Sequence, residues 1–202
     1  ASRTDTGVHA LGNIAVFDTQ ARMPAEKFSY ALNQRLPEDI RIQDSREVPL
    51  DFHPRRQNSR KTYEYRIYNS AFPMPVYRLY SHFTYVPLDV VSMQKAAEYL
   101  VGEHDFKSFC SVNTTAETTV RTIYDIAVER AEELISIRIT GSGFLYNMVR
   151  IIAGTLIEVG RGNWTPERME RILQACDRAE AGPTAPACGL TLVKYELWGG
   201  RK

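Results

Sequence analysis

Polar and apolar positions alternate most clearly in RKTYEYRIYN, residues 60–69. Tyr63, Tyr65 and Ile67 fall on one side, and Thr62, Glu64, Arg66 and Tyr68 on the other. A period of two sends successive side chains to opposite faces of a pleated strand, so this segment is expected to form a strand with one buried face. TVRTIYDIAVER and ELISIRIT, residues 119–130 and 133–140, are expected to pair as antiparallel strands, and LTLVKYEL, 190–197, to form a last one. Two shorter β-rich runs, Asn13–Phe17 and Ile40–Val48, predict further strands.

Elsewhere the apolar positions recur at helical spacing. Pro24 opens PAEKFSYALNQRL, in which Phe28, Leu32 and Leu36 share a face. Asp89 caps a second helix whose stripe is Val90, Met93, Ala97 and Leu100, stopped by Gly102. GFLYNMVRIIAGTLIEV, 143–159, reads as an apolar helix with Phe144, Met148, Ile152, Leu156 and Val159 in register. Thr165 and Pro166 then start PERMERILQAC. Residues 70–87 are irregular and Pro-rich, and GPTAPACG is a loop. Hairpin-like strand pairs interspersed with helices predict an α+β fold built on antiparallel or mixed sheet, with helices packed on it. The theme repeats in two similar halves, 1–87 and 88–202, with no low-complexity linker between them.

Composition narrows the function class. The chain has 202 residues, 44% of them hydrophobic, enough for one large or two small cores. With 25 Lys and Arg against 24 Asp and Glu, any nucleic-acid role must rest on a local basic surface. Cys110, Cys176 and Cys188 lie far apart with no Cys-x-x-Cys pair, which points to reduced thiols in a cytoplasmic protein. His9, His53, His82 and His104 show no metal-ligand spacing, so no metal is expected. No apolar run is long enough to span a bilayer, and no signal peptide is recognisable.

Three features carry chemistry. The opening ASRTDTGVHA places Asp5 in a Gly-containing turn, where a carboxylate serves as nucleophile, metal ligand or cap. Asp-Thr-Gly also occurs in aspartic proteases, but the motif occurs once here, and Arg3 beside it opposes the shared proton such enzymes need. PRRQNSRKTYEYR sets Arg55, Arg56, Arg60, Lys61 and Arg66 against one acid, Glu64, with Tyr63 and Tyr65 interleaved. Cations contact phosphates and aromatic faces stack on unpaired bases, so this stretch suits RNA; a charged, solvated edge strand is the bland alternative. Arg150 sits inside an otherwise apolar helix. A buried guanidinium needs a partner, and Asp5 is the candidate across the fold, unless the side chain snorkels to solvent.

Taken together, SRTDTGVHA, FHPRR…RKTYEYRIYN, GEHDFKSF, TVRTIYDI, GFLYNMVRIIAGTLIEVGRG and APACGLTL resemble, in order, the signature blocks of the tRNA pseudouridine synthase I (TruA) family. The sequence begins inside the first block. The family's sheet starts with a further strand and helix upstream of that point, outside the sequence in hand, so the half 1–87 is expected to lack them.

The resemblance implies the pseudouridine synthase fold and conversion of uridine to pseudouridine at positions 38–40 of the tRNA anticodon stem-loop, an isomerisation that needs no cofactor. It implies Asp5 as nucleophile in the first half, and Arg150 in the second half as its partner. It also implies Tyr63 as the active-site tyrosine, stacking on uracil and assisting at C5, and Leu190 as an apolar pocket residue. Arg3 is implied to contact RNA where a nucleotide has flipped out, and Arg55, Arg56, Arg60 and Lys61 complete the expected RNA surface. A homodimer framing the tRNA is also implied. His9 and His104 are read as scaffold residues, and Phe106 and Phe109 as core. A catalytically silent RNA-binding protein on the same fold is the alternative.

Overall fold

The computed structural model describes residues 4–54, 57–111 and 116–198. In chain order its main elements are β1 (His9–Ala10), α1 (Phe28–Asn33), β2 (Asn58–Asn69), β3 (His82–Thr84), α2 (Val90–Glu98), β4 (Gly102–Asp105), β5 (Val120–Ala131), β6 (Leu134–Gly141), α3 (Met148–Gly160), α4 (Arg168–Ala175) and β7 (Leu190–Trp198). The strands form one mixed sheet in the order β1-β7-β2-β6-β5-β4. β2 pairs antiparallel with β6 on one edge, while its other edge is shared by β7 over Asn58–Tyr65 and by β3, in parallel, over Ile67–Asn69. The class is α+β, as the patterning predicts.

The long alternating strand is the sheet's organiser. Tyr65 and Ile67 are fully buried, as are Ile135, Ile137 and Ile139 on β6, and these side chains pack beneath the helices. The other face of β2 is polar. There Glu64 is buried between Arg66, whose Nε donates to it at 2.8 Å, and Arg138, whose Nη2 donates at 3.3 Å. Tyr68 is also buried, under Tyr77 and Phe83, because the Pro-rich segment folds back over the end of this face.

The expected hairpin 119–130/133–140 is present as β5 and β6, and Asp89 caps α2 by accepting from the amides of Val91 and Ser92. Two predicted strands are absent. Residues 13–17 and 40–48 form no ladder, because β-rich composition makes a strand only where a neighbour supplies backbone partners. The second segment is instead tied to α1. The Asn33 side chain exchanges two 2.8 Å bonds with the backbone of Ile42, and Ser45 Oγ donates to Ala25 O at 2.8 Å and accepts from Ser29 N at 2.9 Å. The helix expected from 143 starts at Met148, because Asn147 takes a left-handed conformation that breaks the turn before it. α1 and α4 are likewise shorter than their patterns, α1 following a three-residue 3₁₀ segment and α4 a two-residue turn.

α3 is apolar on nearly every side and is buried accordingly. The loop 182–189 lies directly against it. A Cβ on Gly154 would overlap the Pro183 carbonyl oxygen, and one on Gly182 would come within 2.7 Å of Thr155 Cα. Thr155 Oγ1 accepts from Gly182 N at 3.0 Å and donates to Ile151 O at 2.8 Å, stitching loop to helix. All three cysteines are free thiols. Among the described residues no helix is long and apolar enough to cross a membrane.

Two outcomes follow from this packing. Gly154→Ala must push the loop off α3, and is expected to destabilise the protein by about 1–3 kcal/mol or more, read as a shift in urea midpoint at unchanged slope. His82 is held below its ordinary value of 6.5 by burial, with the Arg161 guanidinium adding to the effect. In the window below about pH 6.5 the unfolded chain therefore binds more protons at this ring than the folded one, and stability falls as pH falls. Urea midpoints measured across that window should lose part of this acid slope in His82→Gln.

Candidate active site

Asp5 lies in the turn that leads into β1, where Val8 N donates to Asp5 O at 3.0 Å and Gly7 adopts φ 82°. A left-handed residue at this point is accessible to glycine without cost. β1 then runs parallel to β7, with His9 opposite Thr191. That pairing brings the Asp5 turn to the start of β7, beside Leu190 and, one strand further, Tyr63 and Tyr65 of β2.

Arg150 comes from the first turn of α3. Its Nη1 donates to Asp5 Oδ2 at 3.1 Å and to Asn147 Oδ1 at 2.9 Å, and its Nε donates to Ala185 O at 2.8 Å. The backbone also participates: Ala185 N donates to Arg150 O at 3.1 Å. The side chains are 17% exposed for Arg150 and 30% for Asp5, so the pair is shielded yet reachable. It borders a cleft of about 800 Å³ whose lining includes Asp5, Tyr63, Arg150, Leu190, Lys61 and Phe144.

The two interleaved tyrosines separate clearly. Tyr65 is fully buried and its hydroxyl donates to Pro186 O at 2.9 Å. Burial pushes that phenol far above its ordinary range, with Cys188 adding and Arg150 opposing, so it stays neutral and structural. Tyr63 borders the cleft, its ring edge-on to Phe144 at 5.2 Å. Leu190 is buried at the cleft floor.

Of the expected RNA-contacting cations, Lys61 lines the cleft, its ammonium 4.8 Å above the Tyr195 ring. Arg60 points to the other face of β2, between Tyr124 at 4.9 Å and Trp198 at 5.5 Å. Arg66 is committed to Glu64. Arg3, Arg55 and Arg56 lie outside the described residues. His9 contacts Leu79 O at 2.7 Å and stacks on Tyr80, and His104 contacts Val101 O at 2.9 Å, both as scaffold. Phe106 and Phe109 are fully buried.

Two cleft residues escape the sequence reading. Arg121 lines the cleft with Nη1 donating to Thr118 O at 2.9 Å and Val120 O at 2.6 Å, and partial burial pulls its guanidinium below the ordinary range. Asn147 lines it too. Both stand in blocks that the sequence already singles out, TVRTIYDI and GFLYNMVRIIAG, so block membership was the available signal. Among the described residues no cluster of three His, Cys, Asp or Glu side chains is placed to hold a metal ion. Chemically, the arrangement offers an oriented carboxylate, a cation that fixes it, an aromatic ring and an apolar floor.

Comparison with known proteins bears on what this cleft serves. A family model described as tRNA pseudouridine synthase matches residues 1–55 and 96–196, a span that includes Asp5, Arg150 and Leu190 but not Tyr63. The tRNA pseudouridine synthase A of Acetivibrio thermocellus is 50% identical over 194 residues, covering 96% of this chain and 80% of that protein. Those of Thermoanaerobacter sp. strain X514 and Brevibacillus brevis are each 48% identical, over 96% and 95% of this chain and 80% and 79% of theirs. By the family model and by these relatives together, the chain belongs to the tRNA pseudouridine synthase A (TruA) family.

Proposed function

We propose that this protein is a tRNA pseudouridine synthase that uses Asp5 as its nucleophile on uridines 38–40 of the anticodon stem-loop. The observation that carries the reading is the Asp5–Arg150 pair, 3.1 Å apart at the edge of a cleft that Tyr63 and Leu190 also line. The names of the relatives supply the reaction class, and the geometry supports the roles. The pairing engages Oδ2 of Asp5, and among the described residues no donor bonds Oδ1.

The target uridine leaves its stack to reach Asp5, at a cost of a few kcal/mol offset by contacts in the cleft. Asp5 initiates cleavage of the N1–C1′ bond. The freed uracil turns between the Tyr63 ring and Leu190, C5 bonds to C1′, and the C5 proton leaves with help from the Tyr63 hydroxyl while N1 regains a proton. Bonds and protons balance within one molecule, so no co-reactant is consumed. Arg150 keeps the carboxylate aimed throughout. Lys61 contacts phosphate at the cleft mouth, and Arg3, Arg55 and Arg56 extend the RNA surface, whereas Arg60, held between Tyr124 and Trp198 on the opposite face of β2, does not.

In this reading the half 1–87 brings the nucleophile and the half 88–202 its partner. The protein works in the cytoplasm as a homodimer whose two copies frame the tRNA. Sedimentation of the active species as a monomer would contradict the dimer.

The decisive measurement is release of tritium to water from tRNA labelled at uridine C5. Asp5→Ala is expected to lose activity by about 10³-fold or more, with tRNA binding retained. Wild-type-like release from that variant would end the nucleophile assignment. Arg150→Lys keeps the charge but cannot serve three acceptors in the same geometry, and is expected to lower kcat by about 10–100-fold in the same assay.

A further inference from the structure

Asn147 precedes α3 with φ 60° and ψ 5°, a left-handed conformation uncommon outside glycine and most accessible to Asn and Asp. Its side chain does not cap the helix. Both ends of the amide are engaged elsewhere. Oδ1 accepts from Arg150 Nη1 at 2.9 Å, the same nitrogen that donates to Asp5. Nδ2 donates to Ser111 Oγ at 2.8 Å, while Ser111 N donates to Tyr146 O at 3.2 Å, so the turn at 146–147 is held through side chain and backbone alike. Each end of the amide thus has a protein partner, and the residue borders the cleft.

We infer that Asn147 is the positioning residue that aims the Arg150 guanidinium at Asp5, with Ser111 fixing the amide. The inference rests on the reading of Asp5 and Arg150 as the reacting pair. Ala185 holds Nε, which leaves the direction of Nη1 to be set by its two oxygen acceptors. One of those, Asp5, changes its bonding during the reaction. The Asn147 oxygen is the acceptor that does not change, so it keeps the cation in place while Asp5 is engaged with the nucleoside. An uncharged oxygen suits this task. A carboxylate in its place would hold the guanidinium by a charge-assisted bond and compete with Asp5 for it. The left-handed backbone follows from the same requirement: it turns the side chain back toward the first turn of α3 and places the amide between Ser111 and Arg150.

The test uses the full chain and three substitutions. Asn147→Gly removes the amide while keeping the left-handed backbone accessible, Asn147→Asp replaces the neutral acceptor by a charged one, and Ser111→Ala removes the outer contact. In the tritium-release assay Asn147→Gly is expected to lower kcat by about 10–100-fold with the KM for tRNA unchanged. Asn147→Asp should fall in the same direction. Ser111→Ala should lose less, and should add little to Asn147→Gly. Full kcat in Asn147→Gly overturns the inference, and so does a raised KM at unchanged kcat, which would make Asn147 an RNA contact. A second measurement is independent of turnover. Rotation of the Arg150 guanidinium about its Nε–Cζ bond, followed by nitrogen-15 NMR, should be slow in the parent protein and faster in Asn147→Gly; identical rates overturn the positioning role. If the parent protein releases no tritium, the synthase reading falls, and the NMR comparison still decides whether Asn147 holds Arg150.

Discussion

A single cation with little access to water organises the site. Arg150 rises from an apolar helix, and a guanidinium in such surroundings is costly unless its donors are met. Its Nε and Nη1 donors are met by three acceptors from three parts of the chain: the turn before β1, the turn before α3, and the loop ahead of β7. Satisfying one side chain therefore requires the sheet edge, the helix start and the loop to be in place together. The carboxylate 145 residues away is brought to it by strand pairing, through the parallel register of β1 on β7.

The sheet does the complementary work of sorting chemically similar side chains into different environments. Tyr63 and Tyr65 share a face of β2, two residues apart, yet one borders the cleft while the other is sealed beneath the helices with its hydroxyl on Pro186 O. Lys61 and Arg60 are adjacent, and the pleat sends one into the cleft and the other between two aromatic rings on the opposite face. Position along the strand decides the first separation and parity the second.

Much of this was legible in the chain because the signals were periodic or chemically conspicuous. The alternation of 60–69 marked β2, the Asp89 cap marked α2, and an arginine among Ile and Val residues marked the ion pair. What escaped depended on partners or on single dihedral angles. Residues 13–17 and 40–48 have strand-like composition, but no neighbouring strand completes a ladder with them. α3 begins five residues later than its apolar pattern because one residue, Asn147, leaves the right-handed region. Tyr68 and Glu64 were expected on an open face; a fold-back segment covers the first and two arginines bury the second. Which cations reach the cleft likewise depends on strand parity relative to the helices, which a basic cluster does not reveal by itself.

The tight seat of loop 182–189 on α3 makes the two members of the ion pair unequal. Arg150 is anchored in a helix against which loop 182–189 packs too closely to admit a side chain at Gly154, whereas Asp5 hangs from a turn attached to a strand of only two residues at the sheet margin. The guanidinium is thus tied to its own helix and to the loop beside it, while the acid is held by the turn ahead of β1 and by the guanidinium itself. The helix supplies the fixed reference, and the separation of the pair is set by how the turn at residues 4–8 sits on β7.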